Sequence, residues 1–240
     1  MHVYANPARF LKIARPLTPL LGWSGAALIA AALYVGLFVA PPERLQGETV
    51  RILYLHVPAA WLAMGGWTAI AAASLMQIVW RHPLAAIAAR AAAVPGTVFA
   101  AICLATGSLW GSRAWGTFWE WDGRMTSMLV LLFLYFGYIA LAAAEKEKGG
   151  EGRLAAIFGL VGAVNLPIIH YSVLWWRTLH QGQSIDFLRR TSTIDASMLW
   201  PLLASALGFS LLFGAIVLMR MRAELARNKV EARLKRMASE

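Results

Sequence analysis

Six long apolar blocks, at about residues 19–40, 58–80, 91–110, 125–144, 154–174 and 198–219, constrain this 240-residue chain more than any other feature. The hydrocarbon core of a bilayer is about 30 Å thick and a helix rises ~1.5 Å per residue, so ~20 apolar residues make one crossing. With 59% hydrophobic and only 14% charged residues, the blocks leave little polar chain between them. The sequence therefore predicts an all-α integral membrane protein with six transmembrane helices, forming a single domain over residues 1–240 with short connections. Arg9, Lys12 and Arg15 precede the first block as they would in a signal peptide. That block is too long for one, however, and Phe38 occupies a position where a cleavage site needs a small residue, so it is expected to remain as a helix.

Six crossings put the N-terminal tail, 81–90, 145–153 and the basic tail at about 220–240 on one side, and the segments at about 41–57, 111–124 and 175–197 on the other. Fifteen of the 22 Lys and Arg residues fall on the first side, seven of them in the tail. The positive-inside rule then predicts cytoplasmic termini. A net charge of +10 distributed in this way acts on topology and on anionic lipid rather than on nucleic acid. The lone cysteine, Cys103, lies inside an apolar block. The chain has no disulfide framework, CxxC pair or CxxCH attachment motif of its own, so any cofactor is held without thioether bonds.

The outer segments are rich in tryptophan and histidine. WGTFWEWD, residues 115–122, places Trp115, Trp119 and Trp121 beside Gly116 and Asp122; Trp175 and Trp176 lie in the third segment, and Trp61 and Trp110 at the segment edges. As a helix the stretch would set Trp115, Trp119 and Asp122 on one face, and as a strand Trp119 and Trp121. Two readings stay open here: an aromatic belt at headgroup level, or a flat platform edged by a carboxylate. Of the histidines, His2 is terminal and His82 sits in an inner turn, so both are expected to be solvated. His56 stands near the outer surface, about 7 Å beyond the span that ends at Trp80. His180 lies in the third outer segment, and His170 one turn inside the fifth span, where Pro167 frees a carbonyl for it to donate to.

Two histidines on separate outer segments, with tryptophans between them, suit a planar ligand with a metal centre. Heme iron takes an imidazole on each face, the ring buries its apolar area on aromatic side chains, and its propionates need cations. Arg51, Arg113 and Arg124 lie in the same segments. A structural zinc site would want more Cys or His ligands than the outer side offers, and no nucleophile motif surrounds Ser172 or Ser184. A membrane cytochrome b is the competing heme reading. This electron-transfer subunit would hold its heme within the helices, through His170 and, for example, His56.

In order along the chain, LYLHVPAA (53–60), TGSLWG (106–111), WGTFWEWD, NLPIIHYSV (165–173) and the run from Trp175 through THR-LEU-HIS at 178–180 to Gly182 carry a resemblance over about residues 45–220. They resemble the heme exporter C family of cytochrome c maturation system I, within the tryptophan-rich WWD superfamily of heme-handling membrane proteins. The resemblance implies His56 and His180 as the axial metal ligands. It places Trp115, Gly116, Trp119, Trp121 and Asp122 in the platform that meets a transient, non-covalent heme b. It implies a multi-pass protein of the bacterial inner membrane that displays heme at the periplasmic face and loads the heme chaperone CcmE. Its expected partners are the single-span protein CcmD and the ABC-type transporter subunits CcmA and CcmB. On this reading the chain is a loading factor, not an enzyme with turnover of its own, although positioning can promote covalent attachment to the chaperone. Met128 departs from the pattern, standing where some relatives are expected to carry an acidic residue.

Overall fold

Asn6 accepts from the Ala8 amide and Pro7 follows in the first turn, which starts helix α1 (Pro7–Tyr34). The computed structural model describes residues 6–180, 182, 184–186, 189 and 191–239; His2 lies outside the described residues. A single π turn, Val35–Val39, prolongs α1. A tight turn follows in which the Glu43 carboxylate accepts from the amides of Leu45 and Gln46. The 3-10 turn Glu48–Ile52 then leads into α2 (Leu53–Trp80). Helices α3 (Ala85–Ala114) and α4 (Gly123–Glu147) come next, then α5 (Arg153–Gly162), α6 (Asn165–Trp175) and α7 (Ala196–Met237). Six spans are long and apolar enough to cross a membrane, with α5 and α6 together forming the fifth.

The helices are longer than the apolar blocks. The segment expected as a loop over 41–57 is non-helical only up to Gly47, so His56 stands in the second turn of α2 rather than in a connection. Likewise α3 runs on to Ala114, and the loop expected over 111–124 shrinks to residues 115–122. Helix α7 carries the basic tail as helix to Met237. The cause is common to all three, since hydropathy marks the lipid-buried part of a helix and the backbone ladder continues until a cap or a turn stops it. The third connection contains a two-residue hairpin, Ile185–Asp186 with Thr191–Ser192, too short to register in the sequence pattern.

Helix α2 is the hub, packed on α3, α5 and α7, while α1 packs along α7. Trp67 of α2 is fully buried, its Nε1 donates to the Gly159 carbonyl at 3.1 Å, and it meets Tyr135 of α4 edge-on at 5.0 Å. The Tyr135 hydroxyl donates to the Ala63 carbonyl at 2.7 Å. The Trp67 and Tyr135 polar groups at this aromatic centre thus each find a backbone acceptor, as a lipid-embedded bundle requires. The α1–α7 seam closes through glycines, because a Cβ on Gly25 would lie 2.9 Å from the Gly208 carbonyl oxygen. The fifth span breaks between Gly162 and Asn165. There the Asn165 amide donates to the Ser127 carbonyl at 2.8 Å, and Pro167 falls in the first turn of α6, where no intrahelical donor is lost.

Candidate functional site

At one end of the bundle, residues 41–46 together with Gly182, Ser184, Ile185 and residues 193–195 line, with the ends of α2, α3, α4 and α6, a cavity of about 840 Å3. This lies within the ~300–1,000 Å3 usual for small-molecule sites. His56, His170 and His180 all line it, with Cys103, Gly107, Arg124 and Met128.

His56 is set by α3. Its Nδ1 lies 3.0 Å from the Thr106 hydroxyl, which donates its own proton to the Ile102 carbonyl at 2.6 Å. The hydroxyl oxygen can only accept from the imidazole, so Nδ1 carries the proton and Nε2 the lone pair. The ring lies on bare α3 backbone, and a Cβ on Gly107 would stand 2.9 Å from its Cε1. Trp110 meets the ring edge-on at 5.7 Å and donates to the Gln46 side chain at 2.6 Å, fastening the first connection to α3.

His180 is set by the tryptophan loop. Asp122 caps α4 through Oδ1, which accepts the Met125 amide at 2.7 Å. Its Oδ2 accepts His180 Nδ1–H at 2.8 Å and also the Thr178 hydroxyl. Burial alone would raise the Asp122 pKa, but the bonds from Thr178, the Met125 amide and His180 together hold it below the usual carboxylate range. Burial pushes the His180 pKa down against the pull of Asp122, and the imidazole is neutral at pH 7. His180 therefore has the same tautomer as His56, with Nδ1 held and Nε2 free. An imidazole fixed by a carboxylate in this way is the usual arrangement behind a metal-ligating histidine.

The other expected site residues are placed as follows. Trp115 packs its ring 4.7 Å from that of His180 and rests on Gly111. Gly116 turns the loop at φ +79°. Trp119 and Trp121 meet edge-on at 5.3 Å, with Trp121 74% exposed and the Trp119 Nε1 buried without an acceptor. The loop is neither helix nor strand; Trp115 stands against His180, and none of the three tryptophans lines the cavity. Among the arginines, Arg124 lines the cavity and donates to the His170 carbonyl at 3.4 Å. Arg51 is paired with Glu48 and donates to the Gly36 carbonyl at 2.8 Å, and Arg113 is exposed at the end of α3; neither lines the cavity. His170 turns its ring edge-on to Tyr171 at 4.7 Å.

Sequence reasoning did not find Thr106, Thr178, Gln46 or Arg44, which lines the cavity from the first connection. Thr178 was within reach, because a hydroxyl two residues before a histidine in a turn commonly bonds locally. Thr106 depends on how α2 lies against α3.

Among the described residues no cluster of three or more His, Cys, Asp or Glu could hold a bare metal ion. Two imidazoles with free Nε2 atoms suit an iron whose other four ligands come with it, and Arg124 supplies a cation for an acidic edge. Comparison with known proteins identifies the family. The family model described as "Heme exporter protein C" matches residues 1–236. The chain is 47% identical over 228 residues to the heme exporter protein C of Bradyrhizobium diazoefficiens, covering 95% of this chain and 86% of that one. It is 46% identical over 222 residues to that of Escherichia coli K12, covering 92% and 89%. With that of Paracoccus denitrificans the identity is 39% over 234 residues, covering 97% and 96%. A match along nearly the whole length, together with this cavity, means that the chain belongs to the heme exporter protein C family.

Proposed function

We propose that this protein binds heme b, transiently and non-covalently, between His56 and His180 at the periplasmic face of the bacterial inner membrane, and delivers it to the chaperone CcmE for cytochrome c maturation. One observation carries the reading: two histidines on one cavity each have Nδ1 committed to a fixed acceptor, leaving Nε2 for iron. The family's own description, heme exporter, supports the cargo. The excess of Lys and Arg at the opposite end of the bundle supports a periplasmic cavity.

The two ligands are held differently. His56 rides on α2, braced by Thr106 and Gly107, whereas His180 sits in a connection, held among the described residues by Asp122, Thr178 and Trp115. His56 is then the ligand that stays, and His180 the one that withdraws with its loop when cargo leaves. Arg124 in the wall serves the propionate edge, while Trp115 and Asp122 orient His180. Trp121, with the half-buried Trp119 edge-on beside it, offers its exposed aromatic surface to the cargo's rim and to the chaperone. This is a holding and loading role, with CcmD, CcmA and CcmB as the further members of the assembly.

The electron-transfer alternative has one observation in its favour, since His170 lines the same cavity. Loading the purified protein with heme and adding apo-CcmE separates the two readings. Wild type and His170→Ala are expected to pass heme to the chaperone, and His56→Ala and His180→Ala to fail. Heme binding that survives His180→Ala and is lost in His170→Ala would establish the cytochrome b reading instead. A reporter fused after Gly182 is expected to be active only in the periplasm, and cytoplasmic activity would overturn the topology.

A further inference from the structure

At the end of the bundle away from the cavity, α1 and α7 form a groove of about 540 Å3 that the heme site does not use. Three cations line it, Arg15 from α1 and Arg222 and Lys229 from α7, alongside Leu11, Met219 and Ala226. The helix pairing explains the arrangement. Gly22 faces Ala215 across the antiparallel seam, where a Cβ on the glycine would lie 3.8 Å from that of Ala215. Seven residues, or about two turns, further along each helix are Arg15 and Arg222. The seam therefore sets two guanidinium groups opposite each other. The two carboxylates of α7 in this region are engaged elsewhere, Glu224 with Arg90 and Lys146, and Glu231 with Arg227. Facing arginines without a carboxylate between them repel, and an anion shared between them would remove that cost.

The depth of the groove identifies the anion. Trp200, exposed on α7, marks the cavity-side interface. About 20 residues further along the helix, or ~30 Å, comes Arg220, so Met219 faces lipid tails and Arg222 the opposite headgroup layer. We propose that this groove is a binding site for an anionic phospholipid. Its phosphodiester lies between Arg15 and Arg222, Lys229 reaches the far side of the headgroup, and an acyl chain descends past Met219. An apolar wall beside a cationic rim suits a ligand with both parts, whereas free phosphate would use only the rim. The proposal rests on the α1–α7 groove and is independent of what the cavity holds.

Native mass spectrometry of the full-length protein, delipidated in detergent and titrated with phosphatidylglycerol or phosphatidylcholine of the same chains, provides the test. One tight phosphatidylglycerol adduct is expected. At about a fivefold change per cation, the Arg15→Gln/Arg222→Gln/Lys229→Gln variant should bind it about a hundredfold more weakly. The charge-preserving Arg15→Lys/Arg222→Lys form should keep it. Lys229→Gln alone, at an exposed position that the fold does not need, should show the fivefold loss. Lys12→Gln/Lys148→Gln/Arg153→Gln, which removes three cations at the same end but outside the groove, should change nothing. Equal binding of phosphatidylcholine, an equal loss in the control triple, or full competition by glycerol 3-phosphate would each overturn the proposal, the last by assigning the site to soluble phosphates.

Discussion

Replacing Asp122 with asparagine tests how His180 is held, because the change keeps the shape and alters only what stands at Oδ2, which faces His180 and the Thr178 hydroxyl, itself able to turn and accept from an amide. The residue is 6% exposed and gives one oxygen to the α4 cap and the other to His180 and Thr178. Asparagine caps a helix about as well as aspartate, so the amide oxygen stays on the Met125 amide and stability changes by only a few tenths of a kcal/mol. The amide NH2 must then face His180 Nδ1, placing a donor against a donor. The imidazole escapes by moving its proton to Nε2, where it blocks the ligating lone pair, and loss of such a supporting partner typically costs ~10–100-fold in metal affinity. Asp122→Asn should therefore bind heme ~10–100-fold more weakly, equivalent to about 1.4–2.7 kcal/mol, at an unchanged unfolding midpoint. Asp122→Ala should show the same affinity loss plus about 1 kcal/mol of lost stability from the missing cap. The assay is an absorbance titration of the purified protein with heme, alongside thermal unfolding of the apo form. Affinity within twofold of wild type in Asp122→Asn would refute the reasoning, as would an affinity loss matched by a loss of stability.

Three further outcomes follow from the same geometry. Thr106→Val removes the acceptor for His56 Nδ1–H and should weaken heme binding by ~10–100-fold, with Thr106→Ser restoring it; equal binding by the valine form would show that the hydroxyl has no orienting role. Trp67→Ala empties the centre of the α2–α4–α5 packing and leaves the Gly159 carbonyl without its donor, so it should lower stability by about 3–5 kcal/mol, read by denaturant titration in micelles. His180 binds its proton less readily in the folded protein than its ordinary value of 6.5, so as pH falls below 6.5 the unfolded chain gains the proton first. Its contribution therefore leaves stability unaffected above that pH and lowers it below. The unfolding midpoint of the apo protein should fall between pH 7.5 and 5.5 by more in wild type than in His180→Ala, and an equal fall would remove His180 as a cause.

The spans were legible because about 20 apolar residues in lipid leave a chain few choices, and the six blocks correspond one to one with the six crossings. Their ends were not, since α2 gathers His56 into its helix through a 3-10 turn that no hydropathy pattern marks. His56 and His180 stood out in the sequence by residue type and position, and the structure brings both to one cavity. The role of Asp122 was hidden because it depends on two partners of differing sequence distance, Met125 three residues away and His180 fifty-eight away. The same holds for Thr106, fifty residues from His56. Counting cations by segment brought Arg51, Arg113 and Arg124 together, yet only Arg124 reaches the cavity wall, because Glu48 and the Gly36 carbonyl occupy Arg51 and the last turn of α3 leaves Arg113 exposed. Local chemistry was readable along the chain, and pairings between helices were not.

The central claim, that iron is held by one imidazole from α2 and one from the third connection, is tested most directly by low-temperature electron paramagnetic resonance of the ferric heme complex. The account predicts a low-spin six-coordinate signal in wild type and in His170→Ala. It predicts a high-spin signal in His56→Ala and in His180→Ala, returning to low spin when free imidazole is added. A high-spin signal in wild type, or a low-spin signal that persists without imidazole in either ligand variant, would contradict it.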